Sequence, residues 1–420
     1  MNKTLLITGM ALAALMTGCT TDTTSQDSDG DSFSPTEITE SKDAIQLGSG
    51  QDAFAEGTVS SAKQFMTRST INSDAKGNFT LNGIHLFCLA TRQLHNGLKY
   101  PIDWSIRGIT SAGVQSYSVW LDDVIVNAKD TLINEKDTTI LQWADGHSRY
   151  YPIGNGHAYS FYAIYPKPQD ISYASNYIYG RVDMYNGATD VIWGSADKQS
   201  SNPTGVDTLA YCSKYFHQNG KYGECPTMTF KHALMRLHFT FVSGPDAIGN
   251  TDSAKQLRIG AVEIYKVPTT GHLYIASNDG VHKAGSVVCD WTDETKMQTI
   301  ELEDSDNVGA LKKEYWVTDE QQDLGQSIMV PVPPSPSNDY YEMSITLYKK
   351  GYLNEDGTPK AIKSIIKWPL SLKKDYTYET GKSYNVNLKV YGLQWIANSA
   401  TLVPWVDVNT AFDDNSTEIN

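Results

Sequence analysis

From Asn78 onward, short apolar runs alternate with breaks made of Gly, Asn, Asp and Pro. "FTLNGIHLFCLA" is the first strong run, and "SYSVWLDDVIVNA", "TTILQWAD" and "HAYSFYAIYP" follow it. A second series begins at "PTMTFKHALMRLHFTFVSG". It continues through "QLRIGAVEIYKV", "GHLYIAS", "QSIMVPVPP", "YYEMSITLYKK", "AIKSIIKWPLSL" and "SYNVNLKVYGLQWIANSATLVPWVDV". Runs of this length, bounded by turn residues, predict β-strands, and their regular spacing predicts β-sandwiches. Pro331, Pro333 and Pro334 mark a strand end or a sheet edge, because proline donates no ladder hydrogen bond. Gly194 to Glu224 is polar and irregular, and is the expected connection between two domains.

Before Asn78 the pattern changes. Lys3 gives a positive start, and Leu5 to Met16 is an apolar run shorter than the roughly 20 residues a membrane-spanning helix needs. This reads as a secretory signal over residues 1–18. Thr20 to Gln51 carries seven carboxylates, one lysine and one aromatic, Phe33. Such a segment buries too little apolar surface to offset its ordering entropy. Residues 19–51 are therefore expected to be a disordered tether. Two domains follow, at 52–224 and 225–420, and the polar tail "NTAFDDNSTEIN" frays.

The chain has 420 residues and a formal charge of −14, which argues against nucleic acid as a partner. Its 25 tyrosines and nine tryptophans, with few helical patterns, strengthen the all-β reading. Cys88 and Cys289 sit in apolar runs and are expected to be buried thiols. Cys212 and Cys225 flank a polar loop and either form a local disulfide in an oxidising compartment or stay free.

Candidate chemistry is sparse. His232 and His238 would share a face of one unbroken strand, yet two ligands are too few for a metal, and packing is the simpler role. No HExxH, GxSxG, CxxC or glycine-rich phosphate loop occurs. Asp122 and Asp123 are adjacent, so in a strand they point to opposite faces. Tyr150 and Tyr151 either stack on a sugar or pack between strands. No catalytic residue, metal or cofactor is assigned, and an enzyme is not expected.

Two resemblances add to this. "LMTGC" resembles a bacterial lipobox, with Met16 in place of the usual leucine and Leu15 one place further back. It implies that Cys19 is lipidated and anchors the chain in the outer membrane. The chain also resembles the Bacteroidetes fimbrillins, the type V pilins. The matching pieces are that lipobox, "MTRS", "NGIHLFCLA", "RYYPIGNGHAYSFYAIYP", "ATDVIWGSAD", "MTFKHALMRLHFTFVSG" and the C-terminal run ending in Pro404–Trp405, in the family's order. The resemblance implies two transthyretin-like β-sandwich domains and a structural subunit of a cell-surface fimbria with a role in adhesion. It also implies assembly by strand exchange. A trypsin-like protease cuts after a basic residue in the loop past the first strand, that strand leaves, and a C-terminal strand of another subunit fills the groove. Here the cut falls between Arg68 and Ser69, with Lys63 and Lys76 as rivals, and the first strand spans about Asp52 to Phe65. The donor comes from the run that includes Trp395, Leu402, Val403, Pro404 and Trp405. The implied partners are other fimbrial subunits, the membrane lipid, the protease, and a host or glycan ligand. The alternative is a surface lipoprotein that does not polymerise: an anchor, a tip adhesin or a glycan-binding protein. In that case Trp395 to Val408 is simply the last strand of its own domain. Asp130-Thr131-Leu132 and Asp207-Thr208-Leu209 further resemble the O-glycosylation triplets of exported proteins of that phylum.

Overall fold

The computed structural model describes residues 39–44, 47–49, 80–93, 101–108, 116–133, 136–153, 157–197, 211, 226–244, 254–302, 315–332, 341–369, 378–392 and 395–403. Strands are numbered along the chain; helix is limited, among the described residues, to short 3-10 turns. The all-β class expected from the sequence is what is found.

The first body centres on a closed barrel. Its order is β10 (Ile192–Ala196), β11 (Thr227–His232), β2 (Leu47–Ser49), β5 (Lys136–Trp143), β4 (Val119–Ile133), β3 (Leu81–Gln93) and β7 (His157–Tyr165), which pairs back onto β10. Outside the barrel lies a second sheet, ordered β15 (Val287–Val288), β14 (Thr270–Ser277), β9 (Tyr177–Asp183) and β8 (Gln169–Tyr173). This layering explains the near-continuous apolar runs. Along β3, Ile84, Leu86, Cys88 and Ala90 join the barrel core, while Phe87 and Leu89 join the core beneath the second sheet. Along β7, Tyr159, Phe161 and Ala163 go to the first core, and Tyr162 and Ile164 to the second. Strands buried on both faces lose the alternation that a half-exposed strand keeps. β9 keeps it: Ile178, Gly180 and Val182 are buried, and the residues between them are not. Gly194 lets the ring of its cross-strand partner Phe230 lie over its backbone, since a Cβ there would lie 2.6 Å from that ring. Two indoles tie the layers together. Trp193 Nε1 donates to the Ile275 carbonyl at 2.8 Å, and Trp104 Nε1 to the Ala90 carbonyl at 2.8 Å.

The second body packs two sheets around one core. One is ordered β18 (Gln322–Met329), β12 (Met235–Ser243), β21 (Ser383–Gly392) and β22 (Trp395–Val403). The other is ordered β16 (Met297–Glu301), β13 (Leu257–Pro268), β19 (Glu342–Leu353) and β20 (Pro359–Pro369), with β17 (Tyr315–Trp316) also on β13. Leu237, Phe239 and Phe241 meet Val262, Ile264, Ile345 and Leu388 in this core. Each such side chain contributes roughly 1.5–3 kcal/mol by leaving water.

Three differences from the sequence reading matter. The run "TMTFKHALMRLHFTFVS" is two strands, β11 in the barrel and β12 in the second body, separated by Ala233 and Leu234. β11, which follows the expected boundary at 224/225, is a barrel strand, and β14 and β15 pair in the sheet with β9 and β8. The segment expected to be a pure tether contains β1 (Thr39–Ala44), which pairs with β6 (Tyr150–Ile153), and β2. Its acidic composition hid two short pieces whose hydrogen bonds are made with strands distant in sequence. The first strand expected at Asp52 to Phe65 lies outside the described residues. Among those described, no helix is long and apolar enough to cross a membrane.

Candidate strand-exchange groove

The barrel closes through its shortest strand. β2 pairs antiparallel with β5, Leu47 against Leu141 and Gly48 against Ile140. It pairs parallel with β11, Gly48 against Thr227 and Ser49 against Met228. β5 extends from Lys136 to Trp143 and β11 from Thr227 to His232, so the slot is longer than the strand filling it. Within the described residues, ladder pairing on this side of β5 and β11 is confined to those positions. The slot opens onto the barrel core. Leu141, Met228 and Phe230 are buried at or beside it, with Ala128, Tyr151, Phe161 and Tyr211 in the same cluster. Removing β2 would leave two strand edges and these apolar side chains facing water. Unpaired edges of that kind are templates for another strand.

Just upstream, β1 is held to β6 through Thr39–Ile153, Glu40–Pro152 and Ala44–Tyr150, with a register shift between them. At the other end of the chain, β22 lies at a sheet edge. It pairs antiparallel with β21 from Trp395–Gly392 through to Val403–Ser383. Trp395, Leu402 and Val403 are thus strand residues of the second body. Arg68, Ser69, Cys19, Cys212, Cys225, Pro404 and Trp405 lie outside the described residues, as does the Asp207 triplet.

The sequence-derived polar candidates come apart. His232 and His238 sit on different strands in different sheets. His232 Nδ1 lies 3.0 Å from both oxygens of Asp190, a buried pair at the turn between the bodies. His238 bridges Asp323 and Asn385, at 3.1 and 3.0 Å. Asp122 and Asp123 do not lie in an unbroken strand, since Asp123 has a left-handed backbone with φ 58°, and they take different partners. Asp122 accepts from Tyr173 and, at 3.3 Å, from Arg107; Asp123 meets His85 at 2.5 Å and Lys167. Tyr151 is buried against Tyr159 and Phe161, which rules it out as a sugar-stacking ring. Cys88 is buried and Cys289 half-buried; burial pushes both thiols up, Cys289 to about 12. Among the described residues, no group of three or more His, Cys, Asp or Glu could hold a metal.

Sequence reasoning missed β2. Its only local signal is Ala44, Ile45 and Leu47, the one apolar cluster in an acidic stretch.

A family model described as fimbrillin-like matches residues 109–405. No curated protein matches the chain in sequence. Among solved structures, a candidate cell adhesion protein from Bacteroides uniformis aligns at 12% identity and TM-score 0.42, covering 86% of this chain and 97% of that one. Another from Parabacteroides distasonis aligns at 10% identity and TM-score 0.43, covering 88% and 98%. The tip fimbrial protein Mfa3 from Porphyromonas gingivalis, with a C-terminal truncation, aligns at 11% identity and TM-score 0.32, covering 86% and 98%.

Proposed function

The chain belongs to the fimbrillin-like family, and from that premise we propose that it is a structural subunit of a cell-surface fimbria, assembled by protease-triggered strand exchange. The family is a structural one, and membership makes this a fimbrial, adhesion-related surface protein. The finer mechanism rests on one observation: a barrel closed by a three-residue strand that precedes Arg68 in the chain.

Cutting between Arg68 and Ser69 turns β1 and β2 from part of the chain into a separate ligand. While attached, they are held at high effective concentration. Once detached, they must also offset the lost translational and rotational freedom of a free peptide, roughly 4–15 kcal/mol. Seven register positions of backbone pairing, four in β2 and three in β1, at about 0.5–1.5 kcal/mol per hydrogen bond, supply about 3–10 kcal/mol, which does not exceed that cost. The segment leaves and the groove between β5 and β11 opens. A longer strand competes well for it, through main-chain bonds along both edges and side chains filling the pockets. The run from Trp395 through Pro404 and Trp405 is the donor. Among the described residues, its part β22 pairs with β21 alone, so one ladder has to break. Contacts of this head-to-tail kind do not close on themselves and give a fibre. Before cutting, a lipid on Cys19 anchors the precursor to the outer membrane.

The test uses the chain from residue 19 with Cys19→Ser. Trace trypsin treatment is followed by N-terminal sequencing and size exclusion. A new terminus at Ser69 together with ladders or fibres is expected. Resistance at Arg68, or cutting with no oligomer, would sink the strand-exchange reading and leave an adhesive surface protein that does not polymerise.

A further inference from the structure

The outer face of the second sheet of the first body carries more aromatic surface than the fold requires. Its inner face supplies the core through Ile178, Val182, Leu273 and Ile275. The outer face presents Tyr177 and Tyr179 on β9 with His272 and Tyr274 on β14, where Tyr179 stands opposite Tyr274 in register. Ring centroids run 6.0 Å from Tyr177 to Tyr179, 5.8 Å from Tyr179 to Tyr274 and 5.1 Å from Tyr179 to His272. The tyrosines are half-buried and His272 is exposed.

A fifth ring is brought in from a loop. His282 lies on Tyr274 with centroids 4.4 Å apart and planes 18° apart, and 4.7 Å from Tyr177. Asp279 fixes it there. Its carboxylate accepts the backbone N–H groups of Val281 and His282, each at 2.8 Å, and meets His282 Nδ1 at 2.5 Å. Cross-strand tyrosines alone are ordinary sheet pairing. Ala284 ties the loop to the core beneath, whereas the His282 ring lies on the tyrosines of the outer face.

The rim is polar, with one guanidinium shared between two carboxylates, and so leans negative. Arg181 pairs with Asp170 at 3.1 Å and Asp183 at 2.6 Å, and Gln169 donates to Asp183 at 2.8 Å. A rim whose guanidinium is already engaged by two carboxylates selects against a phosphate or sulfate ligand and suits an uncharged one rich in hydroxyls. Aromatic faces carry a negative quadrupole that attracts the C–H side of a sugar ring. Carboxylate, amide and guanidinium groups supply the acceptors and donors for its hydroxyls. We propose that this face, centred on Tyr177, Tyr179, Tyr274 and His282, is a binding platform for a neutral oligosaccharide. The site is separate from the groove between β5 and β11, and it acts in the uncut chain.

The probes are cellohexaose, xylohexaose, maltohexaose and chitohexaose, titrated calorimetrically into the uncut chain bearing Cys19→Ser. At least one should bind. Tyr179→Ala and Tyr274→Ala should each weaken it about tenfold. Tyr274→Phe, which keeps the ring, should retain binding, and so should Tyr352→Ala, on the exposed part of β19. Near-ultraviolet circular dichroism checks that each variant is folded. No heat from any probe at millimolar concentration overturns the proposal, as does binding indifferent to both alanine variants. Self-association of the wild-type chain that Tyr274→Ala abolishes would mean the face meets a second copy instead, and overturns it too. None of these outcomes depends on whether the chain polymerises after cutting.

Discussion

Gly48 is the residue at which the barrel closure is most exposed to perturbation. It pairs with Ile140 on one side and Thr227 on the other, so both ladders pass through it. Gly48→Pro removes its N–H and restricts the backbone of Leu47. The two ladders hold β2 with four register positions of pairing, worth about 2–6 kcal/mol at the usual net value per backbone bond. Losing most of that raises local opening of the slot by about two orders of magnitude, because 1.4 kcal/mol is a factor of ten. The assay is hydrogen exchange read by mass spectrometry. Amides of β5 and β11 that face the slot should lose about a hundredfold protection, while β12, β13 and β19 keep theirs. A dye that binds exposed apolar surface should report the uncovered core around Leu141 and Met228. Gly48→Ala, which keeps the N–H, is the control and should behave as wild type. The proline variant should also assemble without protease treatment. If β5 and β11 keep full protection with proline at 48, β2 does not close the barrel and the groove argument collapses.

Three further outcomes follow from single contacts. Trp193→Phe strands the buried Ile275 carbonyl that the indole serves at 2.8 Å; it should cost about 1–3 kcal/mol, seen as a lower unfolding midpoint, and an unchanged midpoint would deny that this bond ties the layers. Cys88 and Cys289, raised by burial, should resist iodoacetamide at mildly alkaline pH and react in denaturant; native-state labelling of the Cys88 peptide would contradict the packing. Asp279 is held well below the usual carboxylate range, chiefly by the His282 backbone N–H and then by its side chain. Its stabilising contribution is therefore present above the unfolded value of about 4 and is lost as pH falls below that toward the depressed value. Asp279→Asn should remove this acid dependence from the exchange rates of residues 279–286, and a variant loop that titrates like wild type would refute the assignment.

What could be read from the sequence depends on where each strand finds its partners. β3 and β7 were legible because burial on two faces leaves a run of apolar residues that no loop resembles. The break at Ala233 was not. Apolar residues continue through it, and what turns the chain is tertiary: the Ala233 N–H donates to the Val191 carbonyl at 2.7 Å, and the Leu234 carbonyl accepts from Gly381 at 2.8 Å. The aromatic face was hidden for a related reason. Tyr177 and Tyr179 meet His272 and Tyr274 only because β14 returns to the first body after β12 and β13 have begun the second. β2 was the hardest to see, and on the proposed mechanism it has to be. A strand with a long, clean alternation would bury several side chains at roughly 1.5–3 kcal/mol each and would not be displaced on a useful timescale once cut. A strand that leaves must bind through few residues, and few residues carry no period. The weak local signal around Leu47 and the short ladders on either side of it are then two views of one physical requirement. Lengthening β2 with apolar, β-branched residues should make it legible and, by the same step, trap the barrel closed after cleavage.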